Sequence, residues 1–70
     1  MKNITQKEFQ EIFGGEIKGD WLVFEGSLNC YNNNLTSLPE NLEVEGDLDC
    51  SLNKLTSLPD NLKVGGNLYK

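Results

Sequence analysis

Seventy residues limit the chain to one domain, with a core near the lower bound for independent stability. Eleven acidic residues against six basic ones, with no histidine, give a net charge of −5, which argues against nucleic-acid phosphates or an anionic membrane as direct partners. No apolar run approaches a membrane span, and residues 1–8 lack the apolar stretch of a secretory signal, so the expected location is the cytoplasm, with delivery into another cell left open.

The first predicted element is a short amphipathic helix over about residues 6–13. Thr5 as N-cap with Glu8 three positions on forms a capping box, and Ile4 against Phe9 forms a hydrophobic staple. Ile4, Phe9, Ile12 and Phe13 fall on one face, and Gly14-Gly15 supplies the stop. So short a helix needs a surface to pack on. Residues 16–24 come next as a tight hairpin, with Gly19-Asp20 as a two-residue turn carrying positive φ at its first centre. Trp21, Val23 and Phe24 give the returning strand strong β preference, and Trp21 reads as core in preference to contact surface. Helix and hairpin start together, residues 1–21, read as a cap that covers the first edge of the downstream residues.

From Leu22 the chain repeats itself. Residues 22–41 and 42–61 form two consecutive blocks of twenty that agree at twelve positions, and residues 62–70 begin a third. A fixed period of this size means that one unit cannot bury its apolar face alone and stacks on its neighbour to do so. Phe24, Gly26, Leu28 and Cys30 alternate with polar residues, as do Val44, Gly46, Leu48 and Cys50, which predicts strands with one buried face. Asn33 and Asn53 carry both donor and acceptor groups, which suits them to satisfy backbone where the chain leaves each strand. Pro39 and Pro59, lacking an N–H, make the return path extended or tightly turned, and Asn41 and Asn61 manage the turn into the next strand.

Cys30 and Cys50 stand twenty apart at the same repeat position, where stacking would bring their Cα atoms within disulfide range at about 4.8 Å. The favoured reading is a buried rung of two small apolar side chains, with a disulfide as the alternative. A metal site lacks a third ligand, and no cofactor is expected.

The strings Leu28-x-Cys30-x-x-Asn33-x-Leu35-x-x-Leu38-Pro39 and Leu48-x-Cys50-x-x-Asn53-x-Leu55-x-x-Leu58-Pro59 resemble the leucine-rich repeat pattern L-x-L/C-x-x-N-x-L. The twenty-residue length and the Leu-Thr-Ser-Leu-Pro tail are similar to the short repeats of bacterial effector proteins and of some bacteriophage and gut-bacterial proteins. The resemblance covers residues 22–70. It implies an α+β solenoid of two full repeats (22–41 and 42–61) and a partial third (62–70), with Leu28, Cys30, Asn33, Leu48, Cys50 and Asn53 as the structural ladder. It further implies that parallel strands line a concave face used to bind other proteins, with the Leu-Pro segments at the convex back. Effectors of this kind often carry a ubiquitin-ligase domain with a catalytic Cys. No part of this sequence corresponds to one, so that activity is not carried over.

The residues expected on the exposed strand face are Glu25, Asn29, Tyr31, Glu45, Asp47, Asp49 and Tyr69. One reading is a solvated acidic face that keeps a small protein soluble. The functional reading is a contact patch for a basic protein surface, with Tyr31 and Tyr69 as aromatic anchors. The acidic residues fit no loop motif that wraps calcium. Catalysis finds no support: there is no His or Arg, and no nucleophile has a base at recognisable spacing. The expected function is therefore a non-catalytic protein–protein interaction module. The alternatives are an inhibitor acting by acidic mimicry of nucleic acid, a self-assembling protein, and a fragment of a longer array. In the third copy Lys70 stands at the Cys position, so residues 63–69 read as an exposed edge strand, open to a partner or to a second copy of this chain as a homodimer.

Overall fold

The structure is a computed structural model that describes residues 4–70. The first three residues of the expected cap lie outside that range. Thr5 closes the N-terminus of helix α1 (Gln6–Phe13) with the capping box that the sequence predicts. Its hydroxyl accepts from the Glu8 amide at 3.1 Å, and the Glu8 carboxylate accepts from the Thr5 amide at 3.0 Å. Gly14, at φ +88°, ends the helix and donates its amide to Gln10 O at 2.8 Å.

One buried side chain, Phe9, anchors α1. Its ring meets Phe24 edge-on at 6.0 Å and lies against Phe13 at 4.6 Å. Ile12, expected on the buried face, is 62% exposed. It sits about 100° around the helix from Phe13, and a two-turn helix that touches the body along one line leaves that flank in water. Polar bonds fix the helix start: the Gln6 amide donates to Asp20 O, Glu40 O and Asn41 O, and Ile4 N donates to Ser37 Oγ.

Strand β1 (Glu16–Lys18) pairs antiparallel with β2 (Trp21–Phe24) across Gly19-Asp20, with Gly19 at φ +63° as the turn requires. The remaining strands are β3 (Leu28–Asn29), β4 (Leu42–Val44), β5 (Leu48–Asp49), β6 (Lys63–Val64) and β7 (Leu68–Tyr69). They form two sheets, ordered β1-β2-β4-β6 and β3-β5-β7. Every pairing between copies is parallel and offset by twenty residues: Leu22 with Leu42, Val44 with Val64, Leu28 with Leu48, Leu48 with Leu68. The α+β character follows directly from this order.

The strand expected to run on from Phe24 to Cys30, and from Val44 to Cys50, is divided. A bend separates the two strands of each copy, at residues 25–26, 45–46 and 65–66. Gly26 takes φ +84° there, a conformation that glycine adopts without steric cost. Gly46 is needed for a different reason: a Cβ on it would lie 2.7 Å from the Gly26 carbonyl carbon. The bends stack through Glu45 N to Phe24 O at 2.9 Å and Gly46 N to Gly26 O at 2.8 Å, repeated one copy later by Gly65 N to Val44 O and Gly66 N to Gly46 O.

Both sheets turn their inner faces to a single core. Leu22, Phe24, Leu28, Cys30, Leu42, Val44, Leu48 and Cys50 fill it from the strands, and Leu35 and Leu38 close it from the return segment of the first copy. Each fully buried leucine contributes about 2–3 kcal/mol of transfer free energy. Asn53 knits the strand exits of two copies together. Its Nδ2 donates to Cys30 O and Cys50 O at 3.0 Å, and its Oδ1 accepts from Asn33 N at 2.8 Å and Leu35 N at 3.0 Å. Asn61 similarly contacts Asn41 through both its amide and its backbone-facing oxygen. Beyond the second copy the core thins: Leu55, Leu58, Leu62, Val64 and Leu68 are only partly buried.

Candidate acidic interaction surface

The outward side chains fall into columns set by the twenty-residue register. Across the first sheet the column is Val23, Glu43, Lys63, with Glu16 beside Val23 on β1. Trp21, expected from the sequence to be core, is half-buried on this outer face and takes no part in the core cluster. The Lys63 ammonium lies 4.6 Å from the centre of its ring, a cation–π contact. Trp21 and Lys63 sit two strands apart on a diagonal, a relation the repeat alignment contains but residue type alone does not reveal.

Glu25 and Glu45 occupy the bends and are exposed. The sequence places them side by side as like charges. In the structure Glu25 instead reaches Lys18, 3.4 Å away, and Lys18 also lies 3.5 Å from Glu16. The hydrogen bond to Glu25, with the charge of Glu16 second, raises the Lys18 pKa above its ordinary value. Glu45 keeps no such partner nearby: residues 26–51 contain no Lys at all.

Asp47 and Asp49 are half-buried, and each commits one carboxylate oxygen to the fold. Asp47 Oδ1 accepts from Asn67 N at 2.8 Å, while its own amide donates to Ser27 Oγ at 3.0 Å. Asp49 Oδ1 accepts from Ser51 N at 3.1 Å and from Ser51 Oγ at 2.6 Å. Asn29, the counterpart of Asp49 in the first copy, makes the same local turn with Tyr31 N at 3.3 Å. Across the second sheet the column reads Asn29, Asp49, Tyr69. Tyr31 and Tyr69 are 46% and 49% exposed, in different columns and two copies apart, so they flank the acidic residues rather than pair with each other.

Cys30 and Cys50 are free thiols, 0% and 1% exposed. Burial, with Cys50 and Asp49 close by, pushes the Cys30 thiol from 9.0 up to about 12. Burial and then the Asp49 charge also raise Cys50, whose Sγ donates to Tyr69 O at 3.4 Å. Both are thus held as neutral thiols, poor nucleophiles and poor metal ligands. Among the described residues no group of three or more His, Cys, Asp or Glu is placed to hold a metal ion, and no helix is long and apolar enough to cross a membrane.

Of the residues singled out in the sequence, Glu45, Asp47 and Asp49 lie consecutively along the bend and second strand of copy two, with Glu43 just before them. Glu25 is drawn away by Lys18. Lys63 and Trp21, which residue type alone does not mark as surface partners, define the boundary of the acidic surface on one side. No protein-family model, no curated protein and no solved structure matches this chain.

Proposed function

We propose that the chain is a leucine-rich repeat solenoid with an N-terminal cap, working as a non-catalytic interaction module whose partner presents a basic protein surface. The carrying observation is the belt Glu43, Glu45, Asp47 and Asp49, held on strands of fixed register in a stretch of chain without a single Lys. The strands and bends set the spacing of these carboxylates before any partner arrives, so little ordering cost falls on binding. Tyr31 and Tyr69 supply exposed aromatic area at its margins, of the kind that dominates interface energetics.

The test is affinity capture from a cell extract with quantitative mass spectrometry, comparing the wild type with the Glu43→Lys/Glu45→Lys variant. Both positions face outward and neither side chain supports the fold by a hydrogen bond, so the variant should stay folded. A basic protein retained by the wild type, lost by the variant and released at high salt supports the reading. Retention unchanged by charge reversal sinks it. A captured protein that DNA competes off the belt would place the chain in the second class, an inhibitor that imitates a phosphate backbone. The solenoid reading has its own test: inserting one further copy of residues 42–61 after Asn61 should raise stability, because each copy adds a nearest-neighbour interface. A variant less stable than the parent would mean that the blocks do not stack interchangeably.

A further inference from the structure

The acidic belt is not the surface with the most unfinished bonding. β6 pairs only with β4, and β7 only with β5, so both sheets end in an unpaired edge on the same side of the molecule. The direction of the unused groups is set by the copies below. Leu28 and Cys30 donate their amides to Asp47 O and Asp49 O, and Leu48 and Cys50 donate theirs to Asn67 O and Tyr69 O. By the same register the Leu68 and Lys70 amides point outward from β7. Asn67 stands where Ser27 and Asp47 stand below it, and each of those side-chain oxygens accepts the amide of the copy laid over it. Beside this edge a groove of about 420 Å³ opens onto the thinned core, lined by Cys50, Leu52, Leu55, Leu58 and Lys70 among others.

The edge also differs from the rest of the molecule in charge. Residues 26–51 hold only acidic charges, whereas residues 52–70 hold Lys54, Lys63 and Lys70 against Asp60 alone. Lys63 already has Glu43 opposite it on its inner side. A carboxylate on an added strand would flank it on the other side, and cross-strand pairs of opposite charge are favourable.

We propose that this edge captures an extended segment of a partner protein in which apolar and acidic residues alternate, added in parallel as one more strand beyond β6 and β7. Main-chain hydrogen bonds to the outward amides provide the affinity. Apolar side chains enter the groove, and the alternate carboxylates meet Lys63 and Lys70. Such a surface is distinct from the acidic belt in place and in sign, so either reading stands if the other fails.

The probe is a synthetic peptide with the sequence of residues 42–61, whose Leu-Glu-Val-Glu start has the required alternation. Its control replaces every Glu and Asp by Lys. Binding is monitored by titration calorimetry and by the fluorescence of Trp21, the chain's single tryptophan, which touches Lys63. The acidic peptide should bind in roughly the micromolar-to-millimolar range typical of small transient contacts. The control should bind at least about tenfold more weakly, and added salt should weaken the acidic peptide. Val64→Pro, which blocks the outward side of β6, should abolish binding, with circular dichroism reporting whether the fold survives. If it does not, Lys63→Glu/Lys70→Glu gives the reading through charge alone, with a loss of about fivefold to tenfold. No binding at about 1 mM, equal binding of the control, or an unchanged affinity in the charge variant would overturn the proposal. So would concentration-dependent dimerisation of the chain alone through the same edge, since a second copy would then be its occupant.

Discussion

Leu52 is a leucine in a place meant for something else. Its φ is +57°, in the left-handed region, and its side chain is 73% exposed. One copy earlier the same position is Asn32 at φ +56°, and asparagine tolerates that conformation far better than leucine. The stacked backbone therefore dictates the turn, and the residue complies. Leu52→Asn should raise stability by about 1 kcal/mol, read as a higher urea midpoint with an unchanged m-value. A lower midpoint would show that Leu52 contributes by packing. The buried thiols lead to a second outcome at this scale. Cys30 is raised from 9.0 to about 12, so the folded state binds the thiol proton more tightly than the unfolded chain. That contribution is fully present below pH 9 and is lost as pH climbs from there toward 12. Urea midpoints should fall between about pH 8 and about pH 10.5 in the wild type and fall less in Cys30→Ala, once its lower starting stability is allowed for. At neutral pH both thiols should resist alkylation until the protein unfolds.

At the scale of elements, the helix and hairpin were legible because their signals are local. A capping box and a Gly-containing two-residue turn act within a few residues, and both appear where residues 5–8 and 18–21 place them. The alternation of residues 24–30 was legible in its parity but not in its geometry. Phe24 and Leu28 both face inward across a bend of an even number of residues, so a period of two is preserved while the strand is broken. Only the contacts of Gly46 reveal the break, because the backbone of the previous copy fills the space of its Cβ. Gly46→Ala should cost about 2–4 kcal/mol, more than a surface glycine substitution in an ordinary strand, since backbone and not a flexible side chain must yield. Thermal unfolding would measure this, and a cost below about 0.5 kcal/mol would mean that the bend relaxes freely. Ile12 was misplaced for the opposite reason: periodicity names a face, and how much of that face finds a neighbour depends on the tertiary surface below it.

For the molecule as a whole, burial is graded from one end to the other. The strands of copies one and two are closed by neighbours on both sides, while copy three has one neighbour and an open edge. Stability need not be uniform in such an array, and the end with fewer buried contacts opens first. Amide hydrogen exchange should show Cys30, Leu48 and Cys50 protected most strongly and Leu62, Gly65 and Gly66 releasing their protons at lower free energy. Uniform protection would indicate one cooperative unit. The acidic surface was readable only in outline. Exposure of Glu25, Asn29, Tyr31, Glu45 and Tyr69 follows from alternation, but the engagement of Asp47 and Asp49 in backbone bonds depends on the copy above or on the next turn.

The column Ser27, Asp47, Asn67 has no residue in common, yet each rung offers an oxygen at the same height, and the first two hand theirs to the amide of the next copy. A count of matching letters scores that column as three mismatches. What is copied there is an atom and its position, and any side chain that delivers it spells the same word. The alphabet of this array is thus smaller than that of its amino acids: a hydroxyl, a carboxylate and a carboxamide are synonyms at that position. Chains that share almost no letters with this one can therefore be written in the same language.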